Sequence, residues 1–436
     1  MTTPFLIKGM GFLQEEVGIA NKLIGIWLTI LGAFLGGLLM TRLSLYRALL
    51  VFGILQAVSP MVAHLAGARR DVDVAEVLRH GLMLALLLAV PGVLFLLNPD
   101  PLLALAPMEP AVEAKVRAYL DLLAWGLPAT LLYRTFYAFS NALGRARILM
   151  LIGVVSLAVH ALLAWGLAQQ GWLGEPLGVV GCAASNVLIS WLTCVTAAGL
   201  LHRGPLGQRY RPFAAGWKIR WPVWREMLRL GVPMGVSNFI EITAFTLIAL
   251  FIAPLGAVTV AGHRILANLS ALTYMLPLSL GIATLAAVGH ALGRRDRAQA
   301  EATIVAGLGV AEVLSVVVAF LLWFGSAPVV ALYTDDAEVR KVAVGLLIYI
   351  AVYQFFDALQ TIAGHVLRAY RVTFVPMLVQ MLSFWGIGLG LGWWLCYRGQ
   401  AAMGLEGFWW AAAASIVLAA MLLGAMLWRV VKSVEY

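Results

Sequence analysis

Apolar runs of about twenty residues, separated by short polar joints, recur along this chain, and twelve can be placed. That length is what one α-helix needs to cross the hydrocarbon of a bilayer. Helix is the only open-chain solution there, because each backbone N–H and C=O must be paired within its own segment. The spans fall near residues 19–40, 45–66, 77–98, 118–142, 147–169, 177–201, 227–252, 258–290, 302–326, 342–367, 373–397 and 405–428. Of the 436 residues 62% are hydrophobic and 12% charged, too little charge to cover a water-facing surface. A soluble enzyme is excluded, and the expected fold class is an all-α polytopic membrane protein.

A net charge of +9 could point to nucleic acid, but in a membrane protein basic loops facing anionic lipid are the commoner cause, and no nucleic-acid partner is expected. Taking alternate joints, one side carries nineteen Lys and Arg residues and the other seven. The richer side includes the stretch from Arg203 to Arg229, so both termini and this basic segment are expected in the cytoplasm. Cys182, Cys194 and Cys396 have no paired spacing and are read as small apolar fillers, not as a disulfide framework or zinc site. No cleavable signal pattern precedes the first span.

The chain repeats itself. At an offset of 226 residues Val62, His64, Gly67 and Arg69 fall on Val288, His290, Gly293 and Arg295; Gly81 falls on Gly307, Lys115 on Lys341, Arg145 on Arg371, and Gly178 and Gly181 on Gly404 and Gly407. Matches of His, Lys, Arg and Gly at one offset over several joints are informative where Leu and Ala matches are not. They imply two six-helix bundles related by a pseudo-twofold axis along the membrane normal. Transporters of this symmetry place substrate between the halves and expose it by rocking. The expected organisation is an atypical N-terminal helix pair at 1–58, the rest of the first bundle at 59–201, a basic cytoplasmic linker at 202–226 and the second bundle at 227–436.

Two carboxylates, Glu241 and Asp357, lie within apolar spans of the second bundle. A carboxylate at that depth costs about 2.5–3.5 kcal/mol even on a lenient scale, so it normally faces a partner, a cavity or an ion path. If the two share a cavity, their mutual repulsion and poor solvation call for a proton or a metal cation. Tyr353, four residues before Asp357, lies on the same helical face and offers a hydroxyl oxygen. Glu241, Tyr353 and Asp357 are therefore a candidate sodium or proton site; the bland alternative pairs the carboxylates with Arg134 or Arg264. Asn186 and Asn238 could be polar gates or bridges between helices, Pro233 and Pro277 hinges or tolerated kinks, and the Gly386 to Gly392 run, with Gly32 and Gly36, a means of close helix approach. His64 and His290, at helix ends, are read as caps before proton relays. No cofactor is expected beyond the coupling ion.

The stretch Pro254-Leu255-Gly256, Val260-Ala261-Gly262-His263, Asn268, Leu276-Pro277-Leu278-Ser279 and Val288 to Gly293 resembles the multidrug and toxic compound extrusion (MATE) family, NorM-type branch. Leu332 to Asp335, Tyr353 to Asp357 and Gly178 to Cys182 extend the likeness, which runs from about Ser59 to the C-terminus. The resemblance implies a monomeric, multi-pass antiporter of the bacterial inner membrane that exports organic, often cationic, compounds by alternating access, driven by sodium or protons. It places Glu241 and Asp357 on the family's membrane carboxylates, with Tyr353 beside them. It puts Asp335 and Asp336 on an external loop that can touch substrate, for which Asn238 and Phe245 are further candidates. Arg264 stands where the family usually has glutamine. Residues 1–58 instead resemble a helix pair of a muropeptide permease of the major facilitator superfamily, in Gly11-Phe12, Glu15 to Gly18, Asn21-Lys22 and Arg42 to Leu50, which implies a fusion or a mis-assembled reading frame. Competing readings are a lipid-linked sugar flippase, favoured by a basic cavity; an intramembrane enzyme, which lacks a visible nucleophile and base; and an inactive fusion product.

Overall fold

The structure, a computed structural model, describes residues 53–103, 109–172, 174–214, 216–398 and 403–433. The expected span 19–40, the first part of 45–66, and Glu15, Glu16, Gly32, Gly36, Arg42 and Arg47 lie outside the described residues.

The first bundle contains α1 (Val58–Gly67), α2 (Asp71–Leu97), α3 (Pro110–Ala142), α4 (Ala146–Ala168) and α5 (Val179–Arg203). The second contains α6 (Trp221–Phe251), α7 (Ala257–Gly293), α8 (Arg297–Phe324), α9 (Ala337–Ala369), α10 (Phe374–Tyr397) and α11 (Leu405–Ser433). Among the described residues nine helices are long and apolar enough to cross a membrane. At 33 residues α3 spans about 50 Å, but Glu113, Lys115, Arg117, Asp121 and Arg134 make it more polar than the others. Two helices start ahead of the apolar limits because polar caps set their starts. Asp296 accepts the Gln299 N–H at 3.0 Å to open α8, and Asp336 accepts those of Glu338 and Val339 at 2.9 and 3.2 Å to open α9, ahead of the expected 342.

In each bundle a central helix organises the packing: α3 against α2 and α5, and α9 against α7, α8 and α11. The repeat appears in the backbone. Helices α2 and α8 begin 226 residues apart, at Asp71 and Arg297, as do α5 and α11, at Val179 and Leu405. Arg69 and Arg295 both take positive φ just past a helix end, 57° and 58°, and Gly178 and Gly404, each just before a helix start, share positive φ of 54° and 58°. Two pairings need correction: α3 and α9 start 227 residues apart, at Pro110 and Ala337, so Lys115 falls on Val342 and not on Lys341. Arg371, with φ 60°, occupies the place of Gly144, with φ 70°, and not that of Arg145. The register slips by one because α8 has 28 residues and α2 has 27.

The bundles touch at the end from which α6 starts, here called the linker face. A Cβ on Gly67 would run into the His290 carbonyl, and one on Gly293 into that of His64, so the backbones approach only because both residues are glycine. His64 Nε2 donates to the carbonyl of Ala369, the last residue of α9, at 2.8 Å; His290 Nε2 donates to that of Ala142, the last of α3, at 2.7 Å. Each histidine thus caps a helix, as the sequence suggested, but a helix of the opposite bundle.

The expected linker is a docked strap. Its short helix Pro205–Tyr210 brings Arg209 to Asp71 at 3.1 Å. Arg220 reaches both oxygens of the largely buried Glu76 at 2.7 and 2.8 Å, while its backbone N–H donates to His80 Nε2 at 3.0 Å. Of the cysteines Cys396 alone is buried, so the filler role does not extend to exposed Cys182. Pro233 and Pro277 sit inside unbroken α6 and α7. The glycine run falls on Met381–Leu391 of α10, which is wound as a π-helix.

Candidate functional site

Between the bundles lies a cavity of about 660 Å³. One wall comes from the first bundle: Gln56 and Ser59 near α1, and Arg134, Tyr137, Ala138 and Asn141 from α3. The 3-and-4 spacing of the α3 residues puts them on one helical stripe. The opposite wall belongs to the second bundle. Asn238, Glu241 and Phe245 of α6 line it with Tyr274 of α7 and Tyr353, Asp357, His365 and Arg368 of α9.

Both candidate carboxylates therefore face the same space, on neighbouring helices. Asp357 is 2% exposed and Tyr353 3%, whereas Glu241 opens further into the cavity. Their charges act on each other. Tyr274 stands on the same wall, within reach of the charges of both Glu241 and Asp357. Gln360 Nε2 donates to Asp357 Oδ1 at 3.2 Å, and Gln380 Nε2 of α10 donates to Gln360 Oε1 at 3.3 Å, so the aspartate is held from behind. The ring of Phe245 meets Tyr353 edge-on at 6.0 Å. From the π-wound turns Trp385 Nε1 donates to Thr243 Oγ1 at 3.2 Å and braces α6 two residues past Glu241. Among the described residues no group of three or more His, Cys, Asp or Glu side chains gathers as a metal site. The donor set is instead two carboxylates with tyrosine hydroxyls, oxygen ligands of the kind hard cations take.

The other candidates divide. Asn238 and Phe245 line the cavity, and Asn238 Nδ2 also donates to Gln56 Oε1 across the bundles at 3.3 Å. Asp335 and Asp336 are not on the cavity wall. Asp336 caps α9 through Oδ1, and Asp335 stands exposed 3.7 Å from Arg340. The cation acting on Glu241 is Arg368, not one of the two arginines weighed from sequence. Arg134 lies on the opposite wall, and Arg264 is exposed.

Sequence reasoning missed Tyr274 and Arg368. Arg368 looks like one more basic residue of a joint, yet it sits in the last turn of α9 and lines the cavity. Its signal was spacing, since 353, 357, 361, 364 and 368 follow one helical face. Also missed was Glu312, a third carboxylate within an apolar span, whose Oε1 is buried without a partner.

Comparison with known proteins places this geometry. A protein-family model described as MatE matches residues 35–165 and 233–394. A probable multidrug resistance protein NorM of Aromatoleum aromaticum is 48% identical over 382 residues, covering 87% of this chain and 82% of the relative. The multidrug resistance protein NorM of Aliivibrio fischeri is 32% identical over 374 residues, covering 85% and 81%. Among solved structures, one described as the outward-facing conformation of a multidrug resistance MATE family transporter has a TM-score of 0.82 at 18% identity, covering 93% of this chain and 88% of that one. The eukaryotic MATE transporter AtDTX14 has 0.77 at 18% identity, covering 96% and 98%. The family match starts at residue 35, inside the segment read as foreign, so the boundary near residue 58 is not where the family likeness begins. None of these matches supports a muropeptide permease or a fusion.

Proposed function

This chain belongs to the MatE family, and from that membership we propose that it is a multidrug efflux antiporter in which inward movement of sodium or protons onto Glu241 and Asp357 drives export of organic, often cationic, compounds. The observation that carries the reading is the gathering of Glu241, Asp357, Tyr274 and Tyr353 on one wall of a cavity between two bundles that touch at the linker face. Positive charge delivered to this wall neutralises it, and the same neutralisation weakens its hold on a cationic drug. Linkage makes the effect reciprocal, so bound drug weakens the ion to the same degree. Tyr353 supplies a hydroxyl oxygen to the ion. Asn238 and Phe245 meet the substrate within the cavity, and Asp335 and Asp336 meet it at the outer rim. The linker face, rich in arginine, is cytoplasmic in the inner membrane of a bacterium, with both chain ends on that side. The proposed working unit is a monomer.

The test is export of a preloaded dye from reconstituted vesicles under separately imposed sodium and pH gradients. One gradient should drive export in the wild type, and neither should in Glu241→Gln or Asp357→Asn. Gradient-driven export that survives both substitutions sinks the reading.

A further inference from the structure

Arg368 is a charged cavity residue to which the proposed exchange gives no task. It lies in the last turn of α9, eleven residues beyond Asp357 on the same face. Helical side chains lean toward the N-terminus, so a long arginine there climbs toward the carboxylates and away from the linker face. Its charge acts on Glu241 and on Tyr274, which share the cavity wall with it. Yet among the described residues Arg368 makes no ion pair within 4.0 Å. The guanidinium is near enough to stabilise the carboxylate through space and far enough to leave its oxygens open to a small cation. Arginine keeps its charge under all physiological conditions and cannot leave the protein.

On the reading that Glu241 and Asp357 take the coupling ion, we propose that Arg368 is a built-in counter-cation. It balances Glu241 while the ion site is empty, and its repulsion is what an arriving ion must overcome. Arg368 is thus a positioning residue that sets the ion concentration at which exchange begins. It also lets the empty carrier avoid holding two uncompensated carboxylates in a dry cavity, a state that burial strongly disfavours.

The experiment uses purified full-length protein and two readouts: ethidium export from proteoliposomes, and the ion concentration giving half-maximal thermal stabilisation, with sodium titrated against choline or pH varied without sodium. Arg368→Gln and Arg368→Met should lower the half-saturating ion concentration by about tenfold, the order of effect one nearby charge has in a partly polar interior. Arg368→Lys should remain close to wild type. Unchanged half-saturation in the two neutral variants, or a lysine variant that behaves like them, overturns the proposal. If Glu241→Gln keeps the full ion response, it is the underlying ion-site reading that fails. Should both neutral variants fail to accumulate, Glu241→Gln combined with Arg368→Gln should restore accumulation by removing both charges, and failure to do so also overturns the proposal.

Discussion

The two bundles share a backbone plan and differ in the chemistry they bring to the cavity. With the one-residue slip that separates α3 from α9, Asp357 corresponds to Thr130, Arg368 to Asn141 and His365 to Ala138. The second bundle places a carboxylate where the first has a hydroxyl, and Thr130 shares that hydroxyl between the Gly126 carbonyl at 3.0 Å and Ser190 Oγ at 3.2 Å. It places a guanidinium where the first has an amide. Part of what stays alike between the copies lies at the linker face: Gly67 with Gly293, His64 with His290, Arg69 with Arg295. Residues that let the halves meet are constrained by the fit between them, while residues lining the cavity were free to specialise.

The sharpest way to break this comparison is to exchange the roles. Asp357→Asn should reduce export to that of vesicles lacking the transporter, while Asn141→Ala and Gln56→Ala on the other wall should leave gradient-driven export in place with a changed dye concentration dependence. Equal loss from both walls would show that ion handling is shared.

Next in size is the contact between the bundles. Gly67→Ala or Gly293→Ala sets a methyl against a backbone carbonyl that cannot rotate away, an overpacking cost of about 1–3 kcal/mol. Spin labels placed across the linker face should move apart in both variants, and by similar amounts. A response in one variant alone would limit the symmetry to the backbone trace.

Smaller still, His64→Ala and His290→Ala each remove one hydrogen bond to a helix-terminal carbonyl, worth about 1 kcal/mol, or roughly fivefold in the balance between closed and open linker face. Accessibility of a cysteine introduced beside Ala142 or Ala369 reports that balance, and the double variant should show the sum within the error of the singles. The smallest change expected is Asp71→Asn. Its pair with Arg209 is more than a third exposed on both sides, so melting should shift by the equivalent of a few tenths of a kcal/mol at most. Glu76→Gln should cost more, because that carboxylate is 10% exposed and holds Arg220 with both oxygens.

The outline of the fold was legible because bilayer length and backbone pairing leave so few options. The repeat was legible because glycine, histidine and arginine at helix ends do work that aliphatic residues cannot. The slip to 227 was not, since one added residue inside an apolar helix leaves no mark in hydropathy, and so Arg371 was matched to Arg145 when its backbone counterpart is Gly144. Glu241 and Asp357 stood out because charge is rare in such spans. Tyr274 did not, because a tyrosine in an apolar helix is ordinary until the fold sets it on one wall with two carboxylates. Arg368 was hidden by its place near a helix end, where positive charge is explained by lipid headgroups alone.

The crossed histidine bonds carry one more consequence. Each bundle lends a ring and receives one, so parting the halves breaks a bond on both sides at once and neither half can loosen while the other stays fastened. Motion at this seam is all-or-none by construction. A carrier that must never be leaky gains from that, because a half-open passage would have lost both fastenings without completing either shape.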